Sequence, residues 1–172
     1  MRLRRKIFGF LTIIIGISLV FPLLLPLFYS VESNGSLTND GYKMFDTFEG
    51  MQTRFRALNG TFQPAFANMT SVCSIIAVVL YGLFVIFFLV QLSKKGSLPT
   101  RAILKSISVT LILVAILSLA CSMAFVIMNK IVFNGKTLLS FKYAYGTYIL
   151  IGGAFLTGVM GVIAELKYRR RY

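Results

Sequence analysis

Apolar side chains run almost unbroken through four stretches of the chain, residues 7–29, 70–92, 103–128 and 144–164. Each is 21 residues or longer. About 20 apolar residues in a helix cross a hydrocarbon layer roughly 30 Å thick. In lipid, a lone segment can satisfy its backbone hydrogen bonds only by coiling into a helix. The pattern therefore predicts four transmembrane helices. Between them lie a long loop at 30–69, a linker at 93–102, a short loop at 129–143 and a tail at 165–172. Short alternating connections predict antiparallel neighbours. The expected fold is thus an all-α integral membrane protein built on an antiparallel four-helix bundle.

The long loop contains a segment with a different pattern, GYKMFDTFEGMQTRFRALNG at 41–60. Met44, Phe45, Phe48, Met51, Phe55 and Leu58 recur at spacings of three and four, one stripe of a 3.6-residue helix. Lys43, Asp46, Glu49, Arg54 and Arg56 fall mostly off the stripe. Asn39 or Asp40 can cap the start, and Asn59-Gly60 can end it. Such a helix is too short to stand alone, so it is expected to lie as an amphipathic cap on the extracytoplasmic end. Strands are the alternative for this loop. In the short loop, Asn134-Gly135 separates two β-compatible runs. That dipeptide suits a two-residue type I′ turn, which predicts either a small β-hairpin or a plain turn.

Small residues mark where helices can approach. Gly153, Thr157 and Gly161 recur every four residues in the fourth span, with Ala154 and Gly158 alongside. Ser108, Ala115, Ser118 and Ser122 form a seam in the third. Gly9, Thr12 and Gly16 do so in the first. Close backbone approach lets helices gain dispersion contacts where lipid offers no hydrophobic force. The second span shows no such seam. It carries instead a stripe of Tyr81, Phe84 and Phe88, facing lipid or a partner. Pro22 and Pro26 are expected to kink the first span.

Charge orients the chain. Twelve basic residues lie at the N-terminus (Arg2, Arg4, Arg5, Lys6), in the 93–105 region (Lys94, Lys95, Arg101, Lys105) and in the tail (Lys167, Arg169, Arg170, Arg171). Six lie in the other two loops (Lys43, Arg54, Arg56, Lys130, Lys136, Lys142). The positive-inside rule then places both termini in the cytoplasm of a multi-pass cell-membrane protein. It accounts for the net charge of +13 without nucleic acid. The basic face attracts anionic lipid. The N-terminal run exceeds the length of a signal peptide's apolar core and reads as a retained anchor.

The chemistry on offer is narrow. The sequence has no His and no Trp, and no ionisable side chain lies mid-span. Proton relays and His-based catalysis or metal binding lose their usual parts. Glu32, Asp40, Asp46 and Glu49 are the outer carboxylates and read as solvated. No cofactor or metal is expected. Cys73 and Cys121 either pair or act as small hydrophobes. Asn34, Asn59 and Asn68 start glycosylation sequons that read first as turns. The layout is similar in outline to claudin-like tetraspans, with a long first and short second outer loop. The Trp-containing and paired-Cys loop signature of that family is absent, so no function carries over. The expected role is a non-enzymatic accessory, assembly or scaffolding protein. It would act on other membrane proteins, or on itself, through helix packing and the Met44–Leu58 stripe. An oligomeric channel or transporter component is the alternative.

Overall fold

A computed structural model describes residues 3–32, 37, 41–46, 48, 50–58, 60–93 and 98–169. Arg2, Asn34, Asn39, Asp40, Glu49, Asn59, Lys94, Lys95, Arg170 and Arg171 lie outside the described residues, as do the side chains of Arg4, Arg5, Glu165, Lys167 and Arg169. The order of elements is α1 (Leu3–Gly16), a 3-10 continuation (Ile17–Leu23), β1 (Phe28–Glu32), α2 (Met51–Ala57), α3 (Ala65–Ser93), α4 (Leu98–Met128), β2 (Ile131–Phe133), β3 (Lys136–Tyr143) and α5 (Tyr145–Arg169). Four helical stretches are long and apolar enough to cross a membrane: Lys6–Leu23, Ala65–Ser93, Thr100–Met128 and Tyr145–Ala164.

The first of these is shorter than the apolar run suggested. Pro22 has no N–H to donate, and its ring clashes with the carbonyl four residues back in an α-helix. The chain tightens to 3-10 geometry around it and leaves the helix at Leu23. The change from i−4 to i−3 bonding passes over a carbonyl. Just before the change, Ile13 O accepts a hydrogen bond from the Tyr81 hydroxyl at 2.8 Å, and Ile15 O accepts from Ser18 at 2.7 Å. Beyond Pro26 the apolar run continues as strand β1, not as helix. Pro26 O and Leu27 O accept from the amides of Gly146 and Ala144 at 3.0 and 2.9 Å. The start of α5 is thereby tied to the end of the first span. Helices α3 and α4 each begin five residues earlier than the expected spans at 70 and 103.

The expectation of an all-α fold needs a correction. The short loop is a hairpin, and the long loop contributes to the same sheet, in the order β1-β3-β2. Strand β1 runs antiparallel to β3, from Phe28 opposite Tyr143 to Glu32 opposite Leu139. Strand β2 runs antiparallel to β3 on its other side. Single bridges join Phe28 to Tyr42 and Val31 to Leu37.

The cap helix is also shorter than its stripe. Only Met51–Ala57 is helical. Gly41, Phe45 and Gly50 have φ of 107°, 59° and 84°, a left-handed backbone that no α-helix tolerates in its interior. Gly50 is the residue before the helix. The three-and-four spacing still holds, but it is produced by a folded loop.

The long helices form a ring in which α1 packs on α5 and α3, and α4 fills the place between α3 and α5. Among the described residues the buried apolar side chains fall into two clusters. One lies within the bundle and contains Leu19, Phe84, Phe88, Leu104, Leu111 and Leu150. The other lies under the sheet and contains Phe28, Tyr42, Phe55, Phe125, Leu139 and Phe141.

Small residues line the contacts. A side-chain carbon at Gly153 would stand 2.7 Å from Ser18 Oγ, and one at Gly158 2.7 Å from Ser108 O. A carbon at Gly161 would overlap the Ser108 hydroxyl. Gly9 and Gly16 lie against the rings of Phe88 and Tyr81. The aromatic stripe of the second span therefore faces inward. Thr12, Ser108, Ala115, Ser118, Ser122 and Thr157 are all buried.

A seam also exists on α3, where the sequence reading found none. Thr70, Ser71, Cys73, Ser74 and Ala77 are buried in its first half. The hydroxyls of Thr70, Ser71 and Ser74 donate to carbonyls four residues back in their own helix. Such bonding removes the cost of burying a hydroxyl and lets these residues pack as small side chains. Both cysteines are free and buried.

Candidate functional site

The end of the bundle that carries the sheet holds the chain's most elaborate side-chain arrangement. Seven rings meet there: Phe28 from β1, Tyr42 and Phe48 from the loop, Phe55 from α2, Phe62 ahead of α3, Phe125 from α4 and Phe141 from β3. Phe125 is at the centre, with ring centroids 4.5 Å from Phe28, 4.8 Å from Phe141 and 5.6 Å from Phe48. Phe55 and Phe48 both reach Phe62 at 5.2 Å. Tilted and edge-on pairs at these separations are favourable beyond the area they bury.

Polar contacts lock the cluster to the helices. Asn129 is fully buried at the end of α4. Its Oδ1 accepts from the Gln63 amide at 2.8 Å, while its Nδ2 donates to Gln63 O at 3.1 Å and Phe125 O at 3.0 Å. The carboxamide thus acts as a two-sided clamp holding the approach to α3 beside the end of α4. The Thr147 hydroxyl donates to Leu27 O, securing α5 to the start of the sheet. Replacing Asn129 with Leu removes both of its bonds to Gln63, a loss of about 0.5–1.5 kcal/mol for each. Hydrogen exchange at the Gln63 amide is expected to rise at least tenfold, with exchange in the middle of α4 unchanged.

The Met44–Leu58 stripe splits across this structure. Met51 and Phe55 are buried, and Phe48 packs against the ring cluster. Met44 is half-buried. Only Phe45 and Leu58 are exposed. The inward members build the core of the cap, and the outward members belong to its rim. Phe45 is held outward by its left-handed backbone and by the bond from the Lys43 amide to Asp46 Oδ2, 2.6 Å. Leu58 borders a groove of about 300 Å³ that is also lined by Glu32, Arg54, Ala57, Leu138 and Leu139. Arg54 and Glu32 form an exposed ion pair across it at 3.4 Å.

The hairpin supplies the rest of the rim. Asn134 and Gly135 have φ of 48° and 75°, the positive values that a type I′ turn needs at both positions. The turn pairs Phe133 with Lys136 and Val132 with Thr137, and a register shift between Val132 and Ile131 then sets buried Ile131 opposite buried Leu139. Val132 and Phe133 are left 58% and 64% exposed. Lys130, Lys136 and Lys142 are exposed around them, and no Asp or Glu occurs from residue 129 to 148. Burial pushes the Tyr143 phenol up, and neighbouring Tyr148 adds to the shift, so this hydroxyl stays neutral. The sequence reading passed over Val132 and Phe133 because alternation in a three-residue strand is too brief to show a face. Among the described residues, no three His, Cys, Asp or Glu side chains converge on a point.

The chain matches no protein-family model, no curated protein and no solved structure. The fold itself defines the class: four long apolar helices closed at one end by a three-stranded sheet over an aromatic core.

Proposed function

We propose that the chain spans a cell membrane four times with both termini in the cytoplasm, and that it is a non-enzymatic accessory, assembly or scaffolding protein. The sheet end then faces outward, and its rim recognises other membrane proteins or a second copy of the chain. The observation that carries this reading is the pair Val132 and Phe133, displayed on a rigid hairpin. Adjacent large apolar side chains facing water mark an interaction surface when the backbone beneath them is well fixed. The lysines around them and the absence of acid favour a partner with negative charge at its edge. Helix packing supplies the scaffold, with the buried small residues of α3, α4 and α5 bringing the backbones together. The basic opposite face is expected to attract anionic lipid.

A channel or transporter component would need a path. Within one chain the bundle interior is filled by Phe84, Phe88, Leu111 and Leu150, so any path would run between copies.

The test is extraction in a mild detergent followed by identification of what co-purifies. Val132→Ser with Phe133→Ser is expected to lower recovery of the partner at least tenfold while the protein stays in the alkali-resistant membrane fraction. Undiminished recovery would remove the hairpin from the recognition surface.

A further inference from the structure

The sheet ends on an open edge. In the order β1-β3-β2, strand β2 has a neighbour on one side only. Phe133 and Lys136 flank the two-residue turn and face each other across it. The pair that closes such a hairpin exchanges both of its backbone bonds, and bonding then alternates along the antiparallel ladder. The N–H and C=O of Val132, opposite Thr137, therefore point away from β3. Neither has a partner among the described residues. On the far side of Val132 the edge closes, because Gly60 lies against Ile131. An unpaired N–H and C=O on a fixed edge strand are a template for a further strand.

Charge shows which strand fits. Lys130 and Lys136 stand at the two ends of this stretch, both exposed, and no Asp or Glu occurs from residue 129 to 148. A second copy laid along the same edge would bring each copy's lysines against the other's, and like charges across a strand pair are unfavourable. An extended segment with carboxylates on either side of an apolar residue meets the opposite condition. Its apolar side chain covers exposed Val132 or Phe133, and its carboxylates reach the lysines.

We infer that the β2 edge takes up an extended acidic segment of a partner protein by strand addition. The Val132 N–H donates to a partner carbonyl, and the Val132 C=O accepts a partner N–H. Carboxylates on the added strand pair with Lys130 and Lys136, which selects the partner by charge. The inference rests on the hairpin being a recognition surface, as proposed above, and adds the bonding mode and the chemistry of the partner.

The experiment titrates the full chain in a mild non-ionic detergent with a short synthetic peptide alternating Glu and Val, and with one alternating Lys and Val. The acidic peptide is expected to bind at least tenfold more tightly. With that peptide at saturation, exchange at the Val132 amide is expected to slow at least tenfold. Exchange at the Phe133 amide, already bonded to β3, should not change. Val132→Pro removes the outward N–H and spares the β3 ladder, which an edge strand tolerates. It is expected to weaken the acidic peptide about tenfold, the loss of one backbone bond. Val132→Thr keeps the N–H and a β-branched side chain, and is expected to stay within about threefold of the wild type, as surface changes usually do. If Val132→Pro does not fold, the two peptides and wild-type exchange decide. Equal binding of the two peptides, or a Val132 amide left unprotected, overturns the proposal. Equal losses from Val132→Pro and Val132→Thr also overturn it, and leave the hairpin a recognition surface through its apolar side chains alone. Val132 protection that grows with protein concentration in the absence of peptide puts a second copy on the edge and overturns the acidic partner. Recovery of the partner by the double serine variant described above tests the recognition surface itself, independently of these outcomes.

Discussion

Replacing Phe125 with alanine is expected to lower the unfolding free energy by about 3–5 kcal/mol, the range for removing a fully buried aromatic ring. The residue is completely buried and touches Phe28, Phe48, Phe62 and Phe141. Those four come from β1, the loop, the approach to α3, and β3. Among the described residues Phe141 reaches as many segments, and it is itself one of the four rings Phe125 holds. The loss should also be localised, because the ring lies in the cluster under the sheet and not in the one between the helices. The near-ultraviolet circular dichroism of the aromatic cap is expected to collapse while the far-ultraviolet helix signal remains. Urea titration in detergent gives the energy. A change below about 1 kcal/mol, under what a single buried ring contributes, would mean that the cluster is loosely packed and that the cap does not depend on it.

The second large effect is expected where α5 lies directly against the backbone of α4. At Gly158 an added side-chain carbon would lie 2.7 Å from Ser108 O, 2.7 Å from Ile112 Cγ1 and 3.1 Å from the Ile112 amide nitrogen. Two of these three atoms are α4 backbone, so no rotamer change relieves the clash. Gly158→Ala must push α5 away from α4, which costs about 1–3 kcal/mol as overpacking does elsewhere. Gly158→Leu should prevent assembly of the pair. The control is Gly82→Ala, where the same carbon meets nothing within 4 Å. Its expected effect is neutral or slightly stabilising, since alanine favours the helix by about 1 kcal/mol over glycine. Thermal unfolding of the three purified proteins in one detergent makes the comparison. Equal melting temperatures for Gly82→Ala and Gly158→Ala would refute the close α4–α5 contact.

Both effects depend on features that were legible to different degrees. The glycines and serines of the third and fourth spans stand out from runs of Leu, Ile and Val, and their spacing alone marks a packing face. The α3 seam was hidden because Thr70, Ser71, Cys73 and Ser74 lie at the junction with a polar loop, where such residues look like loop composition. The stripe from Met44 to Leu58 was visible but misassigned to one helix. Its spacing fits a helix, but Gly41, Phe45 and Gly50 adopt left-handed backbone that sequence spacing does not register. Exposure divided it again, with Phe55 turned inward and Phe45 outward.

What the sequence determined by itself is the set of four long apolar helices; at Asn134-Gly135 it placed a tight turn and left a hairpin and a plain turn open, and the structure holds the hairpin. Those are local matters: a run of some 20 apolar residues satisfies its backbone within itself, and a two-residue turn depends on its own φ preferences. The tertiary structure alone decided that residues after Pro26 become a strand, that β1 joins the hairpin, and that seven rings from six segments form a second core. Strand β1 meets β3 only after more than a hundred intervening residues. A pairing of that range depends on which faces remain to be covered once the helices have packed, and the hydrophobicity of neighbouring positions carries no record of it.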